Sequence, residues 1–398
     1  MVWYGTMAVG RTDANASTMS DGRKVPQGRL ARLSQFATLG ARAGVTLIAK
    51  RGSSALAAET ANVLGNMRGL AAKVGQIASY VDGLVPEANR EVFEGALATL
   101  RERALSSPFE DVRGVIEEEL GGPIDRLFAS FEEAPFASAS IGQVHRAVLE
   151  DGRAVAVKVQ HPGIHKAVES DLKNASVLEP IAGLAGGKKL NSKQVFEEMS
   201  KRLREELDYE LEAERQEHFR KLHAGDPTIR VPEVIAGRSR RRVLTSTLAR
   251  GRSLEDVATA DEGERRAFAE TMWRFVFKGN LIGAVFNADP HPGNYLFGED
   301  GVVTFLDFGC CEPLRPERLD NARGLHKAAI ERDEAAFAKF AGLLLHTRGG
   351  EWEKMAVDYS RRCFEPLFAS PFKITRPFAA GLVERLKEMG KNVRKLPK

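Results

Sequence analysis

Three oxygen-bearing side chains that could bind a metal and move a proton lie between residues 289 and 307. Asp289 is followed five residues later by Asn294 in the run Asp-Pro-His-Pro-Gly-Asn, and Asp307 stands between an apolar run and a glycine turn. In protein kinases, an aspartate and an asparagine at this spacing orient the attacking hydroxyl and coordinate magnesium. Magnesium prefers carboxylate oxygens, so Asp307 is expected to join the metal to nucleotide phosphates. The pattern predicts phosphoryl transfer, with Asp289 as the catalytic residue and Asn294 and Asp307 as metal ligands.

A lysine upstream supplies a phosphate-binding group suited to the same chemistry. Lys158 ends the apolar run Val155-Ala156-Val157, which predicts a strand that carries the ammonium group towards phosphates. Each feature alone has a simpler explanation, because strand-end lysines are commonly solvated and Asp, Pro, Gly and Asn are common in turns. Their occurrence together, in the order found in kinases, favours a kinase-like fold that binds ATP and Mg²⁺.

The predicted lysine needs a carboxylate partner. The charged segment 192–222 is predicted to be one helix, and most of its many glutamates should be solvated and paired with a lysine or arginine four residues away. Helical periodicity allows Glu198, Glu205 or Glu212 to face Lys158, and it does not choose among them.

The segment ahead of Lys158 lacks the glycine-rich loop with which kinases cover phosphates. In its place stand Ala137, Ser138, Ala139, Ser140, Ile141 and Gly142. Alanine restricts the backbone where glycine does not, so this loop should be stiffer and should contact phosphates differently.

The alanine-rich run resembles the loop that UbiB-family (UbiB/ADCK) atypical kinases carry in place of the glycine loop. Lys73-Val74-Gly75-Gln76 matches that family's K-x-G-Q signature, and Glu206-Leu207-Asp208 matches its E-x-D signature. The resemblance covers about residues 60–312. It implies an α+β fold like that of protein kinases, with a small β-rich N-lobe, a helical C-lobe and a helical N-terminal extension.

The resemblance also implies the ligands. Residues 137–142 and Lys158 would bind ATP, and Glu212, which matches the glutamate following the E-x-D signature, would orient that lysine. The family is linked to ubiquinone biosynthesis, so an isoprenoid-quinone precursor or a lipid is the implied partner besides ATP.

The family's K-x-G-Q helix is implied to fold over the active site. Lys73 and Gln76 are three residues apart and therefore share one helix face. A lysine withdrawn from water is costly unless it is paired, so Lys73 is expected to meet Glu206 and Asp208. All four are predicted site residues on this basis.

The chain departs from the family pattern at Asn287, where histidine is usual two residues before Asp289. This departure and the stiff loop leave open a nucleotide-binding pseudokinase that acts as a scaffold without turnover. A small-molecule phosphotransferase is a second alternative, because such enzymes carry a similar catalytic loop.

The pattern divides the chain into a disordered arm (1–26), a helical extension (27–108), a kinase-like N-lobe (109–250) and a helical C-lobe (251–398). Strands are predicted at 134–149, 153–160, 231–236 and 242–248. Helices are predicted at 27–50, 55–82, 87–104, 111–120 and 192–222, with a loop-rich stretch at 287–311 in the otherwise helical C-lobe.

Composition and charge indicate the cellular compartment in which the protein is expected. Three cysteines in 398 residues form neither a metal-binding spacing nor an even disulfide set, which favours a reducing compartment. Residues 1–52 carry eight basic and two acidic side chains, so they could touch anionic lipid headgroups. A cytoplasmic protein with peripheral contact to the inner face of the membrane is expected, with no nucleic-acid partner.

Overall fold

The structure, a computed structural model, describes residues 107–139, 141–173 and 192–393. The described residues form two compact units, a larger unit (107–276 and 287–311) and a helical unit (277–286 and 312–393). The helical extension predicted at 27–108 lies almost wholly outside the described residues, together with the arm at 1–26. The predicted boundary between lobes at residue 250 falls inside the larger unit.

The larger unit alternates helices with short strands. Its elements begin with α1 (Phe109–Leu120), α2 (Ile124–Leu127), β1 (Ser130–Phe131), β2 (Ala137–Ser138), β3 (Gly142–Val148), β4 (Ala154–Gln160), α3 (Ile164–Lys173), α4 (Ser192–Glu206) and α5 (Tyr209–Leu222). They continue with β5 (Ile229–Arg230), β6 (Val243–Thr247), α6 (Leu254–Val257), α7 (Glu262–Leu281, which runs on into the helical unit), β7 (Val285–Asn287, which returns from it), β8 (Tyr295–Phe297) and β9 (Val303–Phe305).

An antiparallel sheet holds the lysine strand at its centre. The sheet order is β1-β3-β4-β6, and β2 also pairs with β3. Lys158 lies opposite Val144 on one side and Leu244 on the other. The strand predictions at 153–160 and 242–248 are confirmed, and the first predicted strand is confirmed for its second half, Gly142–Val148.

Strand alternation decides which way the lysine points. Val155, Val157 and Val159 of β4 are completely buried in a core shared with α1 and α2. Successive side chains of a strand point to opposite faces, so Lys158 belongs to the other face. That face packs against a second core, built from residues of α3, α4 and α5. The hydrophobic pattern of one strand therefore directs the lysine towards α5.

The predicted strand at 231–236 is wrong. The segment forms a single bridge, between Val234 and Ser246, and no regular ladder. Pro232 has no N–H to donate to a ladder, and the next amide, that of Glu233, donates to the side-chain hydroxyl of Thr247. Two backbone hydrogen bonds to β6 remain, from the Ile235 amide to the Thr245 carbonyl and from the Thr247 amide to the Glu233 carbonyl, so the pairing is confined to one bridge.

The single helix predicted at 192–222 is also wrong, because the structure has two helices separated by Leu207 and Asp208. Asp208 is the N-cap of α5, and its carboxylate accepts hydrogen bonds from the amides of Glu210 and Leu211 at 3.1 Å each. Leu207 is buried in the core below. An aspartate stabilises a helix start better than a helix interior, which explains the break.

A three-stranded sheet carries the second half of the site. In it β5 pairs with β9 in parallel, and β8 pairs with β9 antiparallel. The loop between β7 and β8 contains Asp289 and Asn294, and Asp307 follows the end of β9. The predicted loop-rich stretch at 287–311 is therefore confirmed, with two short strands inside it.

The helical unit consists largely of helices packed on one another. Its elements after the short strand β10 (Cys311–Pro313) are α8 (Pro316–Glu331), α9 (Glu334–Leu344), α10 (Gly350–Cys363), α11 (Glu365–Phe368) and α12 (Arg376–Val393). Phe337 is almost completely buried at the centre of its core. Within the described residues, no helix is long and apolar enough to cross a membrane.

Candidate active site

Lys158 meets Glu212 across the interface of sheet and helix. Its ammonium nitrogen donates to both carboxylate oxygens of Glu212, at 2.7 and 2.9 Å. The side chains are only 18% and 6% exposed. Of the three glutamates that periodicity allowed, the structure brings Glu212 to Lys158, whereas Glu198 and Glu205 pair with Arg202.

A second carboxylate lies near the same ammonium group. The distance from Asp307 Oδ2 to Lys158 Nζ is 3.6 Å. Burial disfavours the charged lysine, but the carboxylates of Asp307 and Glu212 outweigh burial and hold the pKa of Lys158 well above its ordinary value. The lysine therefore stays charged at neutral pH. One cation between two carboxylates leaves this group negative, which suits the approach of a further cation.

The ring of Tyr209 lies beneath the ammonium group of Lys158. The ammonium nitrogen of Lys158 lies 5.0 Å from the centroid of the Tyr209 ring, within cation–π range. Burial raises the pKa of the Tyr209 hydroxyl, so it stays protonated. Sequence reasoning assigned Tyr209 no role, although its place directly after the E-x-D run was a usable signal.

Asp307 adopts a backbone conformation that aspartate tolerates better than most residues. Its φ of 58° is in the left-handed region. One carboxylate oxygen accepts a 3.0 Å hydrogen bond from the amide of Gly309. This short turn presents the carboxylate at the end of β9, where its other oxygen faces Lys158.

The loop that contains Asp289 is held by two amide side chains. Asn294 donates to the carbonyl of Asp289 at 3.2 Å. Asn287 donates to the carbonyl of Asp307 at 3.3 Å and accepts from the amide of Asp289 at 3.2 Å. Asn287 therefore ties the loop to the segment of Asp307. The residue that departs from the family pattern performs an anchoring function here.

An aromatic cluster supports Asp307 from below. Phe308 is completely buried and packs against Phe219 of α5, with ring centroids 5.1 Å apart. Phe219 in turn stacks on Phe275 of α7, which stacks on Phe305 of β9. These contacts join α5 to the segment that delivers Asp307, so they help to keep Asp307 close to Glu212.

The alanine-rich loop closes on itself at the start of β3. The amide of Ala139 donates to the carbonyl of Gly142 at 2.8 Å. Ala137 and Ser138 are exposed, whereas Ile141 is buried in the core beneath. Ser140 lies outside the described residues.

A buried polar network anchors the strand that follows this loop. The Gln143 carbonyl oxygen accepts from the amide of Ser107 at 2.7 Å, and its NH₂ group donates to His145 Nε2 at 2.9 Å. The other ring nitrogen of His145 lies 2.9 Å from the carbonyl oxygen of Glu132. Burial lowers the pKa of His145. The neutral ring therefore accepts from one partner and donates to the other, which holds β3 in place.

The remaining predicted site residues divide into two groups. Asp208 lies at the start of α5 as its N-cap, and Glu206 is the last residue of α4. Lys73 and Gln76, their expected partners, lie outside the described residues.

The donor set suits magnesium. Asn294 uses its amide nitrogen on the Asp289 carbonyl, and its amide oxygen accepts no hydrogen bond from the described residues. Asp307 contributes a carboxylate and lies beside Lys158, which also pairs with Glu212. No group of three or more His, Cys, Asp or Glu side chains in the described ranges could enclose a metal. Magnesium is commonly held by one or two protein oxygens together with substrate phosphates, so Asp307 and Asn294 fit it.

Comparison with known proteins places the chain among atypical kinases. A family model described as an ABC1 atypical kinase-like domain matches residues 99–341, more than half of the chain. The chain is 34% identical over 338 residues to the mitochondrial atypical kinase COQ8B of Rattus norvegicus, covering 80% of this chain and 63% of that protein. It is 31% identical over 318 residues to the probable protein kinase UbiB of Marinobacter nauticus, covering 76% of this chain and 56% of that protein. The chain thus spans less than two thirds of either relative.

A solved structure is similar over most of its length. Rv3197 of Mycobacterium tuberculosis, determined in complex with erythromycin, is 25% identical with a TM-score of 0.51, and the match covers 92% of this chain and 94% of that one. The chain therefore belongs to the UbiB family of atypical kinases, the proteins with an ABC1 atypical kinase-like domain.

Proposed function

We propose that this protein binds ATP with magnesium and transfers or hydrolyses the terminal phosphate in support of isoprenoid-quinone biosynthesis. The observation that carries the proposal is the 2.7 Å pairing of Lys158 with Glu212 while Asp307 lies 3.6 Å from the same ammonium group. Partly buried charges are costly to keep, and replacing them with apolar side chains is often neutral or stabilising. A phosphate-binding site gives the chain a reason to retain them.

Each side chain has a distinct task in this proposal. Residues 137–142 and Lys158 bind the phosphates of ATP, and Glu212 fixes the direction of Lys158. Asp307 and Asn294 hold Mg²⁺, which when bound offsets the negative charge of the phosphate oxygens. Asp289 orients a water molecule or an acceptor hydroxyl and accepts its proton, while the terminal phosphoryl group of ATP moves to that oxygen and ADP leaves.

The acceptor and the location are supported by resemblance and charge. The resemblance to UbiB proteins supports a quinone precursor or a lipid as the partner besides ATP. The basic residues 1–52 support a cytoplasmic protein attached peripherally to the inner face of the membrane. With the K-x-G-Q segment over the cleft, Lys73 would pair with Glu206 and Asp208, and protein substrates would be excluded.

Phosphate release from ATP tests the proposal when it is measured with and without Mg²⁺, a prenylated phenol and anionic liposomes. We expect Asp289→Asn to leave nucleotide affinity within about twofold but to lower turnover by roughly 10²-fold, the scale of a lost general base. Asp151→Asn, in the exposed hairpin turn between β3 and β4, is the matched control and should behave as wild type.

The rival functions give different results in the same assay. Nucleotide binding without turnover in every arm would identify a pseudokinase scaffold. Phosphate transferred to an added amino alcohol such as choline, and not to the phenol or to water, would identify a small-molecule phosphotransferase. Turnover that Asp289→Asn leaves unchanged would remove Asp289 from the mechanism.

A further inference from the structure

Arg215 connects two parts of the larger unit that are far apart in sequence. One guanidinium nitrogen donates to the carbonyl oxygen of Gly309 at 2.7 Å. Another donates to the carboxylate of Glu205 at 2.8 Å. The Arg215 side chain is only 12% exposed. The rigid, planar fork of an arginine allows both contacts at once, which a lysine could not reproduce.

Arg215 binds the carbonyl of Gly309, which lies in the same turn as Asp307, the predicted metal ligand. The amide of Gly309 donates to Asp307, whereas the carbonyl of the same residue accepts from Arg215. A shift of Gly309 would therefore move the Asp307 carboxylate. Arg215 therefore acts on Asp307 through the backbone of Gly309.

Glu205, the second partner of Arg215, lies beside the E-x-D run. Glu205 directly precedes Glu206 and also pairs with Arg202, at 3.2 Å. Its side chain is 16% exposed, so these charge pairs are partly shielded from water and from salt. Arg215 follows Glu212 by three residues and shares its helix face. One face of α5 thus holds the lysine through Glu212 and the metal turn through Arg215.

We infer that Arg215 is a positioning residue for the magnesium site, and that it couples the position of Asp307 to the turn between α4 and α5. This inference rests on the proposed function for the identity of the metal. The contacts themselves do not depend on a bound ligand.

The test compares Arg215→Met and Arg215→Lys with Arg220→Met. Arg220 is on the same helix, is 40% exposed and pairs with Glu217 three residues away, so it is a matched control. A fluorescent ATP analogue is titrated in EDTA, and Mg²⁺ is then titrated at a fixed analogue concentration. Amide hydrogen exchange of residues 305–312 is followed in ligand-free protein, and thermal unfolding reports folding.

Arg215→Met should raise the half-saturating Mg²⁺ concentration roughly tenfold, the change that ~1.4 kcal/mol produces in a binding constant. Affinity in EDTA should change less than about twofold, and exchange at Gly309 and Cys310 should become faster. Arg215→Lys should recover part of both effects, because it keeps one charged donor. Arg220→Met should match wild type in every measurement.

Two results would overturn the inference. One is unchanged exchange across residues 305–312 in Arg215→Met. The other is an equal loss of affinity with and without Mg²⁺, which is the result of a merely structural arginine. Failure of the wild type to bind nucleotide would instead remove the proposed function, and the exchange measurement would still decide whether Arg215 positions the turn. Glu205→Gln, which keeps an acceptor for Arg215, supplies a second variant and should show a smaller change in the same direction.

Discussion

At the scale of single residues, the candidate site depends on side chains that perform two tasks each. Asp307 accepts a hydrogen bond from the Gly309 amide with one oxygen and faces Lys158 with the other. Asn287 joins two backbone groups of the catalytic segments. Because each of these residues makes two contacts, they hold the site in place without further helices or strands. Replacing one of them, even by a side chain of the same shape, is therefore expected to disturb the site.

Asp307→Asn should abolish the effect of magnesium on nucleotide affinity. The asparagine can still accept from Gly309 and tolerates the left-handed backbone, so folding should persist. The substitution removes the coordinating charge together with the ion pair to Lys158, and magnesium prefers carboxylates. The measurement is the affinity for a fluorescent ATP analogue with and without Mg²⁺.

Asp300→Asn is the matched control for this variant. Asp300 also accepts an amide hydrogen bond two residues on, from Val302, but it is exposed and pairs with Arg230 on the surface. Its substitution should leave the magnesium effect intact. If Asp307→Asn keeps the full magnesium effect, Asp307 is not a metal ligand.

At the scale of elements, helix α5 organises the site. Asp208 begins it, Glu212 reaches the lysine strand, Arg215 holds the metal turn and Phe219 packs on Phe308. These contacts recur every three to four residues, which is the spacing of one helix face. A shift of α5 would therefore disturb the lysine and the metal turn together.

The first residue of β3 sets how closely the sheet approaches α5. A Cβ atom on Gly142 would collide with the backbone carbonyl of Val159 and would lie 2.8 Å from the Tyr209 hydroxyl. Gly142→Ala should therefore lower the free energy of unfolding by about 1–3 kcal/mol, the usual cost of overpacking. It should also weaken nucleotide binding, because Tyr209 lies beneath Lys158. Denaturant unfolding and nucleotide titration measure the two effects.

Gly114→Ala is the control for the backbone change. Gly114 is exposed within α1, and an added Cβ meets no atom within 4 Å. Because alanine favours helix more than glycine does, this variant should be equally stable or more stable by up to ~1 kcal/mol. Equal stability of Gly142→Ala and wild type would show that the close approach is not required.

At the scale of the whole molecule, charge is unevenly distributed. The protein has a net charge of +4, whereas its first 52 residues alone carry eight basic and two acidic side chains. The rest of the chain is therefore slightly acidic. An attachment to anionic membranes would depend on this segment rather than on the overall charge.

Replacing Arg29, Arg32 and Arg42 together with glutamine should weaken sedimentation with anionic liposomes by roughly tenfold or more. Each basic residue near such a surface contributes about 1 kcal/mol, and fewer than all are engaged at once. Added salt should reduce wild-type binding in the same way.

The control for net charge is the triple glutamine variant of Arg126, Arg266 and Arg348, which are exposed and make no ion pair with the described residues. It should sediment as wild type does. Equal sedimentation of both triple variants would exclude a specific role for the basic segment.

The local sequence pattern was sufficient to predict several helices and strands, because each depends mainly on the residues within it. The apolar run Val155-Ala156-Val157 predicted the strand, and the burial of Val155, Val157 and Val159 in the structure places Lys158 on the opposite face. Gly121, with its φ of 74°, ends α1 after Leu120, where the helix predicted at 111–120 also ends. The order of the motifs along the chain also predicted the fold class, because that order is characteristic of kinases.

Contacts between segments that are far apart in the sequence could be identified only from the structure. Periodicity could not select Glu212 from three glutamates, since that choice depends on the helix break at Asp208 and on how α5 packs against the sheet. The pairing of Arg215 with Gly309 spans 94 residues and has no local signature. Burial patterns repeat along one element and can be read from it. Which element lies beside which is fixed by the shared core, so no single segment contains that information.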